Sequence, residues 1–445
     1  MESEEPLLVP ESDEISPRDC GPTKCEEFVR EMQKLSYIAM PMVVVTVSQY
    51  LLRAVSMMML GHLGELALAS ATIAISIINA TGFGLLTGMA SALETLCGQA
   101  YGAKQYKKLG TFTNGSIIWL CLACLLVCVL WIYTDTLLIL LGQDPVIAAE
   151  AGKFSIWMIP SLFPFAILQS LNRYLQTQSL IYPMLVRIYV KCSSACKKTR
   201  APFSKDVLLT AGEFFKFAIP SAVMVFWTLE WWTFEIVILL SGLLPNPELE
   251  TSVLSICLTF TSLHYLIPYS FGAAASTRVS NELGAGKPQA ARLVLTVVVL
   301  LGAAEFVLAS AVIFFCRNIL GYSFSNEKRV IYYVKEMAPF LCASIVVDSL
   351  QAVLSGIVRG NGWQHIGAYI NLGAYYLVGI PTSLCLGFIL NLKGEGLWSG
   401  LVAGATVQSI LLGVLTFRTD WDKQAIKARR RVFDEKTCTI HEELI

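Results

Sequence analysis

The string Leu35-x-x-x-Ala39-x-Pro41 recurs in this chain as Phe214-x-x-x-Ala218-x-Pro220, a shift of 179 residues. A second block keeps the same shift, because Gln169-Ser170-Leu171 recurs as Asp348-Ser349-Leu350. Two separated blocks with one offset indicate an internal duplication. In an apolar chain, a tandem repeat predicts a two-lobed membrane transporter built from parallel repeats.

Composition supports a membrane location. Of the 445 residues, 55% are hydrophobic and only 15% are charged, and the mean hydropathy is +0.60. Soluble proteins carry about 25% charged residues, so the sequence predicts an integral protein of the lipid bilayer. The 33 basic and 33 acidic residues give a net charge of zero, and nothing indicates a nucleic-acid partner.

Apolar runs long enough to cross a bilayer predict an all-α polytopic bundle of about ten transmembrane helices. Glycines and prolines within several runs predict kinks, which membranes tolerate where the backbone lines a cavity. The predicted spans are about 36–60, 68–97, 112–134, 152–176, 214–240, 252–280, 290–315, 332–357, 366–390 and 396–417.

Basic residues cluster in alternate connections, which predicts the orientation of the chain. The loops 134–150 and 242–252 contain no Lys or Arg. The basic groups fall on one side of the membrane if both termini are cytosolic, with exceptions at Arg317, Lys328, Arg329 and Lys393. They include Lys104, Lys107, Lys108, Lys191, Lys197, Lys198, Arg200, Lys205, Lys287, Arg292, Arg359 and the stretch from Lys423 to Arg431.

The two copies differ in length. The first lobe, 35–187, has four predicted helices, whereas the second, 214–417, has six. Between them, the 26 residues of 188–213 are largely polar and basic, and they predict a cytosolic connector. Residues 1–34 predict a disordered cytosolic tail, because they are acidic, polar and without an apolar signal segment. Residues 418–445 predict a cytosolic C-terminal tail.

A third repeated block follows the second and sixth spans. Gly98-Gln99-Ala-Tyr-Gly-Ala-Lys104 corresponds to Asn281-Glu282-Leu-Gly-Ala-Gly-Lys287 at a shift of 183. The pattern is typical of a tight, glycine-containing helix end that turns into a basic loop.

Three strings together resemble the multidrug and toxic compound extrusion (MATE) family, in particular its plant DETOXIFICATION branch. They are Cys97-Gly98-Gln99-Ala100-Tyr101-Gly102-Ala103, Leu229-Glu230-Trp231-Trp232-Thr233-Phe234-Glu235 and Arg278-Val-Ser-Asn281-Glu282-Leu-Gly284-Ala-Gly286. The resemblance covers about Leu35 to Lys423. It implies a secondary transporter that exports organic or xenobiotic compounds in exchange for protons, with twelve spans in two six-helix lobes around a central cavity.

The chain departs from that pattern in its first lobe, where the family's fifth and sixth spans are absent. The strings 181–187 and 188–194 resemble two family segments joined across a deletion, and Phe226-Trp227-Thr228 resembles a short insertion. A splice form or a faulty gene model would explain both features.

Proton exchange requires a carboxylate within the membrane, where desolvation brings a carboxyl group towards working pH. The candidates are Glu94, Glu230, Glu235, Glu305 and Asp348. Glu230 and Glu235 are about 140° apart on a helix, so they cannot both face one site. The resemblance implies that Glu230 and Asp348 couple protons. Glu235 is a candidate cation-attracting wall residue, Glu305 has no motif support, and a structural hydrogen bond is the alternative throughout.

Aromatic faces bind flat organic cations, so several aromatic residues are candidates for the substrate cavity. The alternative for each is packing or interfacial anchoring. Gln49 holds roughly the place in the first lobe that Glu230 holds in the second, and is a candidate polar wall residue. The aromatic candidates are Trp231, Trp232, Tyr265, Tyr269, Tyr375 and Tyr376.

An intramembrane charge usually has a partner. Arg53 is the basic residue within the first span, and we expect a structural ion pair between Arg53 and Glu94. Alternatively, each side chain extends to a membrane interface.

Three functions are compatible with these patterns. The first is a proton-coupled exporter of small organic molecules or cations; the second is a transport-incompetent form with a regulatory role or none. The third, a membrane enzyme or lipid flippase, lacks a catalytic pattern. No nucleophile, phosphate loop or metal cluster is evident, so we predict no cofactor and no metal. The membrane is vacuolar or plasma, and the oligomeric state is open.

Overall fold

A computed structural model describes residues 24–61, 65–140, 142–180, 210–225 and 229–433 of the chain. These residues form helices joined by short connections. The first half contains α1 (Lys24–Gly61), α2 (Glu65–Ile78), α3 (Gly84–Ala90), α4 (Ala92–Gly102), α5 (Tyr106–Ile132), α6 (Thr134–Leu140) and α7 (Pro145–Thr177).

The second half is longer. It contains α8 (Ala211–Val225), α9 (Leu229–Ser241), α10 (Pro247–Gly284), α11 (Pro288–Leu320), α12 (Lys328–Asn361), α13 (Gln364–Leu372), α14 (Ile380–Leu384) and α15 (Lys393–Phe417). A final helix, α16 (Trp421–Phe433), follows. The predicted C-terminal tail is therefore helical over part of its length.

The predicted all-α polytopic fold is confirmed. Within the described residues, nine helical segments are long and apolar enough to cross a membrane. They correspond to nine of the ten predicted spans. The other, 214–240, is occupied by α8 and α9 on either side of 226–228, which lie outside the described residues. The predicted deletion falls on 181–209, also outside them.

The N-terminal prediction was wrong at its boundary. Helix α1 begins at Lys24, so residues 24–34 are helical, whereas the sequence predicted a disordered tail through residue 34. The cause is a tertiary contact, because Arg278 of α10 donates to both carboxylate oxygens of Glu31, at 2.6 and 2.9 Å. Phe28 and Met32 of the same segment, four residues apart, also pack against the core cluster of the second half.

Irregular helical turns and internal prolines occur where the sequence predicted kinks. A π-helical turn, Asn79–Phe83, separates α2 from α3, and the indole N–H of Trp131 donates to Thr81 there at 2.9 Å. Prolines interrupt the hydrogen-bond ladders of α1 (Pro41), α8 (Pro220) and α10 (Pro268), since proline has no N–H to donate.

The duplicated block of the opening sequence lies where the two halves pack together. Leu35 and Ala39 of α1 are buried in the core cluster of the second half, among residues of α10, α11 and α12. Phe214 and Ala218 of α8 are buried in the cluster of the first half. Each half therefore places its first helix against the other half.

Candidate functional site

The two halves meet closely at one end of the bundle, which we call the basic end; it carries Lys104, Lys287 and helix α16. The repeated glycine blocks of α4 and α10 face each other there. A methyl group at Gly102 would overlap the Asn281 carbonyl, and one at Gly284 would overlap the Gln99 carbonyl. Only glycine allows two backbones to approach so closely, so the third repeated block forms this contact.

Glu94 of α4 lies beneath that contact and is fully buried. Its Oε1 lies 2.7 Å from Nη1 of Arg173, at the end of α7. Its Oε2 accepts from Nε of Arg359, at the end of α12, at 3.1 Å. One carboxylate thus joins an arginine of its own half to an arginine of the other half, which compensates part of the cost of burying the charge.

Hydrogen bonds extend this cluster along α7 and α10. Arg173 donates to Gln176 Oε1 at 2.8 Å, and Gln176 Nε2 donates to Thr277 Oγ1 at 3.0 Å. One turn further, Asn281 Nδ2 donates to the Thr177 carbonyl at 3.0 Å. The interface between the halves is therefore polar and specific at the basic end.

Several buried polar atoms of the same interface have no hydrogen-bond partner in the described part of the chain. They include Nη2 of Arg359 and Nε2 of Gln99. An unsatisfied buried polar group costs about 1–3 kcal/mol. Separation of the halves would expose these atoms to solvent, so the arrangement suits an interface that opens and closes.

Helix α16 lies across the basic end and contacts both halves. Trp421 and Ala425 are buried in the second-half cluster, whereas Arg431 donates to Gln99 of α4 at 2.8 Å. The Arg431 guanidinium also lies 4.8 Å from the centre of the Phe217 ring. Burial lowers the pKa of Arg431 from its ordinary value, and Glu213 acts in the opposite direction.

The halves also touch nearer the middle of the bundle. Thr46 of α1 and Ser270 of α10 have hydroxyl oxygens 3.3 Å apart. Tyr269, a predicted cavity residue, accepts from Arg173 Nη2 at 3.4 Å, and its ring lies 6.2 Å from that of Tyr265. Tyr269 therefore lies between the arginine cluster and the interior of the second half.

Asp348 lies on α12 and is buried, with 7% of its surface exposed. One turn along the same helix, Gln351 Oε1 accepts from the Tyr265 hydroxyl at 3.5 Å. The predicted proton-coupling aspartate thus lies in the polar interior of the second half, about three turns from Arg359 along the same helix.

A second carboxylate, largely buried, accepts a hydrogen bond from the residue that follows Asp348. Glu305 of α11 has Oε1 2.7 Å from His264 Nε2 of α10, and its Oε2 accepts from Ser349 of α12 at 3.0 Å. Three helices of the second half are therefore joined through one carboxylate.

Several predicted residues lie outside the described side chains. Glu230, Trp231, Trp232 and Glu235 belong to α9 and Arg53 belongs to α1, but only their backbones are described. Gln49 is exposed, and 38% of Tyr376 is exposed. The expected Arg53–Glu94 pair therefore stays a prediction, although Glu94 already contacts two other arginines.

Sequence reasoning missed Arg173, Arg359 and His264 as partners. The charge pattern places Arg359 among the basic residues of the loops, and no motif points to Arg173. One signal was available, because an intramembrane carboxylate needs a partner. Arg173 and Arg359 lie near the ends of predicted spans, on the same predicted side of the membrane as Glu94. Within the described ranges, no three His, Cys, Asp or Glu side chains are grouped so as to hold a metal ion.

Comparison with known proteins agrees with this architecture. The MatE family model matches the chain twice, over residues 41–191 and 220–385. Protein DETOXIFICATION 14 of Arabidopsis thaliana is 46% identical over 472 residues, covering 97% of this chain and 96% of that protein. Protein DETOXIFICATION 12 of the same organism is 48% identical over 447 residues, covering 91% and 92%.

Solved structures show the same fold. The crystal structure of the eukaryotic MATE transporter AtDTX14 superposes with a TM-score of 0.85 at 48% identity, covering 92% of this chain and 100% of that one. An outward-facing multidrug resistance MATE transporter of the MOP superfamily, 13% identical, superposes with a TM-score of 0.75 over 92% of this chain and 100% of its own. The chain therefore belongs to the MatE family, and it is a membrane transporter rather than an enzyme.

Proposed function

We propose that this transporter exports small organic or xenobiotic compounds in exchange for protons, by alternating access of its two halves. One observation carries the proposal: the halves meet at the basic end through glycine-tight and ionic contacts, and buried carboxylates lie deeper in the second half. A transporter needs an interface that separates, and a proton exchanger needs carboxylates shielded from bulk water.

The orientation follows from charge. Basic loops favour the cytosolic side, so the basic end faces the cytosol and both termini are cytosolic. The described conformation is then closed to the cytosol. The ion pairs of Glu94 with Arg173 and Arg359 stabilise this closed conformation. Vacuolar and plasma membranes both fit this orientation.

Glu230 and Asp348 are the proposed proton-coupling residues. Protonation removes a charge whose burial is costly, and so changes the relative free energies of the two conformations. A protonated site would favour release of a cationic substrate, whereas an ionised site would attract one.

The proposed substrate cavity lies beside these residues. Its walls would include Glu235, Gln49, Trp231, Trp232, Tyr269 and Tyr376. Aromatic faces and carboxylates together attract organic cations. Tyr269 supports this location, because it touches the Arg173 cluster on one side and Tyr265 on the other.

We also propose that the first half has lost two of the family's helices near residue 187. The alignment with Protein DETOXIFICATION 14 extends over 472 positions, 27 more than the 445 residues of this chain. At least that many positions of the relative therefore have no counterpart here. We place the loss at the basic connector 188–213, because it is too short and too polar to contain two membrane spans.

Transport in vesicles tests the proposal. The purified chain is reconstituted with an acidic lumen, a clamped membrane potential and a permanently charged fluorescent cation outside, since a weak base would accumulate passively. We expect accumulation that a protonophore abolishes. A signal equal to that of empty vesicles would overturn export by this chain. A matched variant, with the relative's extra segment inserted after Arg187, then shows whether the missing helices are the cause.

A further inference from the structure

We propose that His264 and Glu305 form a second protonation site in the second half, in addition to Glu230 and Asp348; this inference rests on the proposed proton exchange. The carboxylate of Glu305 is held from two sides. His264 Nε2 lies 2.7 Å from Oε1, and Ser349 donates to Oε2 at 3.0 Å.

Burial makes this pair unusual. The side chains of His264 and Glu305 are 9% and 11% exposed, and Ser349 is fully buried. A bare carboxylate at such a depth is costly. Helix α11 carries no other charged residue between Arg292 and Arg317, so helix anchoring at an interface does not account for Glu305.

The pair can exchange a proton without breaking its geometry. With Nε2–H donating to Glu305, an added proton binds at Nδ1 of His264, and the net charge of the pair changes from −1 to zero. No covalent bond other than N–H is formed or broken. Histidine is the side chain whose ordinary range of titration lies between pH 5 and 8.

The pair is connected to the proposed coupling residue through the backbone of α12. Ser349, which donates to Glu305, directly follows Asp348. A change in charge on the pair therefore changes the electrostatic field at Asp348 and the anchoring of the turn that carries it. Coupled groups of this kind release their protons in steps that belong to the set.

Other titratable groups on the packed helices must be considered in any pH profile. Helices α10, α11, α12 and α1 pack together around the pair. Besides the pair, their ionisable residues in the predicted spans, with side chains described, are Tyr37, Tyr50, Cys257, Tyr265, Tyr269, Arg278, Arg292, Tyr332, Tyr333, Lys335, Glu336, Cys342 and Asp348. The carboxyl groups among these are Glu336 and Asp348.

The first test counts protons. In the vesicle assay, proton flux and dye flux are measured together for the natural chain, Glu305→Gln and His264→Gln. We expect each substitution to lower the exchange by about one proton per cycle and to flatten the pH profile of transport. Ser310→Ala is the matched control, because Ser310 donates to the Cys342 carbonyl between the same two helices, α11 and α12. Unchanged proton numbers in active variants would overturn the inference.

A second test does not need transport, so it separates failure of this inference from failure of the proposed function. Melting temperatures of the purified natural chain and His264→Gln are compared from pH 5 to 8. A protonated imidazole binds a carboxylate more strongly than a neutral one. The difference in melting temperature should therefore be largest near pH 5 and shrink towards pH 8. A constant difference would mean a structural hydrogen bond only. If His264→Gln fails to fold, Glu305→Gln, which removes the anion of the pair and keeps the imidazole, replaces it in this test; a pH-independent effect of that variant again contradicts the inference.

Discussion

Arg359 Nε lies 3.1 Å from Glu94 Oε2, and this bond joins the end of α12 in the second half to α4 in the first. Arg173 Nη1 approaches the other carboxylate oxygen at 2.7 Å. Because all three side chains are almost completely buried, the closed interface depends on their mutual compensation of charge.

Glu94→Gln should therefore open the basic end. The substitution leaves two buried arginines without their anion, and breaking a buried pair costs roughly 3–5 kcal/mol. Spin labels at Lys104 and Lys287, equivalent positions of the repeated block, measure the separation of the halves. We expect a longer distance distribution and a lower melting temperature.

The matched control is Glu150→Gln. Glu150 pairs with Lys153 at 2.7 Å, but both side chains are largely exposed, and exposed pairs contribute about 0–1 kcal/mol. If neither Glu94→Gln nor Glu150→Gln changes the distance between the labels, Glu94 does not hold the two halves together.

Gly102→Ala should act on the same interface by sterics alone. A Cβ at this position overlaps the Asn281 carbonyl, so the halves must move apart or the helices must shift. We expect the label distance to increase without any change of charge. Gly212→Ala is the control, because a Cβ there meets open space; a closed interface in Gly102→Ala would disprove the close approach of α4 and α10.

Arg431→Gln tests whether α16 holds the halves together. The substitution removes the bond to Gln99 and the contact with the Phe217 ring, and bonds to charged groups contribute about 1.5–3 kcal/mol. Arg430, the exposed neighbour on α16, gives the control variant Arg430→Gln. We expect a lower melting temperature and faster separation of the two halves in Arg431→Gln only. Equal effects of the two variants would mean that α16 does not hold the halves together.

The fold could be predicted from the sequence because membrane helices are encoded locally. Apolar run length fixed the spans, and the repeat of Leu35–Pro41 at Phe214–Pro220 predicted two related halves. The structure adds that these repeated helices pack against the opposite halves. That exchange depends on contacts between distant residues, which periodicity does not report.

The candidate site could be predicted only in part. Asp348 is buried in the second half, and its coupling role stays a prediction. Partners across the interface were missed, because Glu94 was matched to the basic residue of the neighbouring span instead of to Arg359, 265 residues away. His264 was missed for a related reason. It matters because it contacts Glu305 on the next helix, and neither residue belongs to a family motif.

The central claim is that a buried carboxylate of the second half couples proton entry to export, and Asp348→Asn tests it most directly. Accumulation of a permanently charged cation is measured in vesicles across a series of pH gradients, with Gln169→Asn, at the repeat-equivalent position of the first half, as control. We predict that the natural chain and Gln169→Asn respond to the gradient and that flux through Asp348→Asn does not. Gradient-dependent accumulation by Asp348→Asn equal to that of the natural chain would contradict the account.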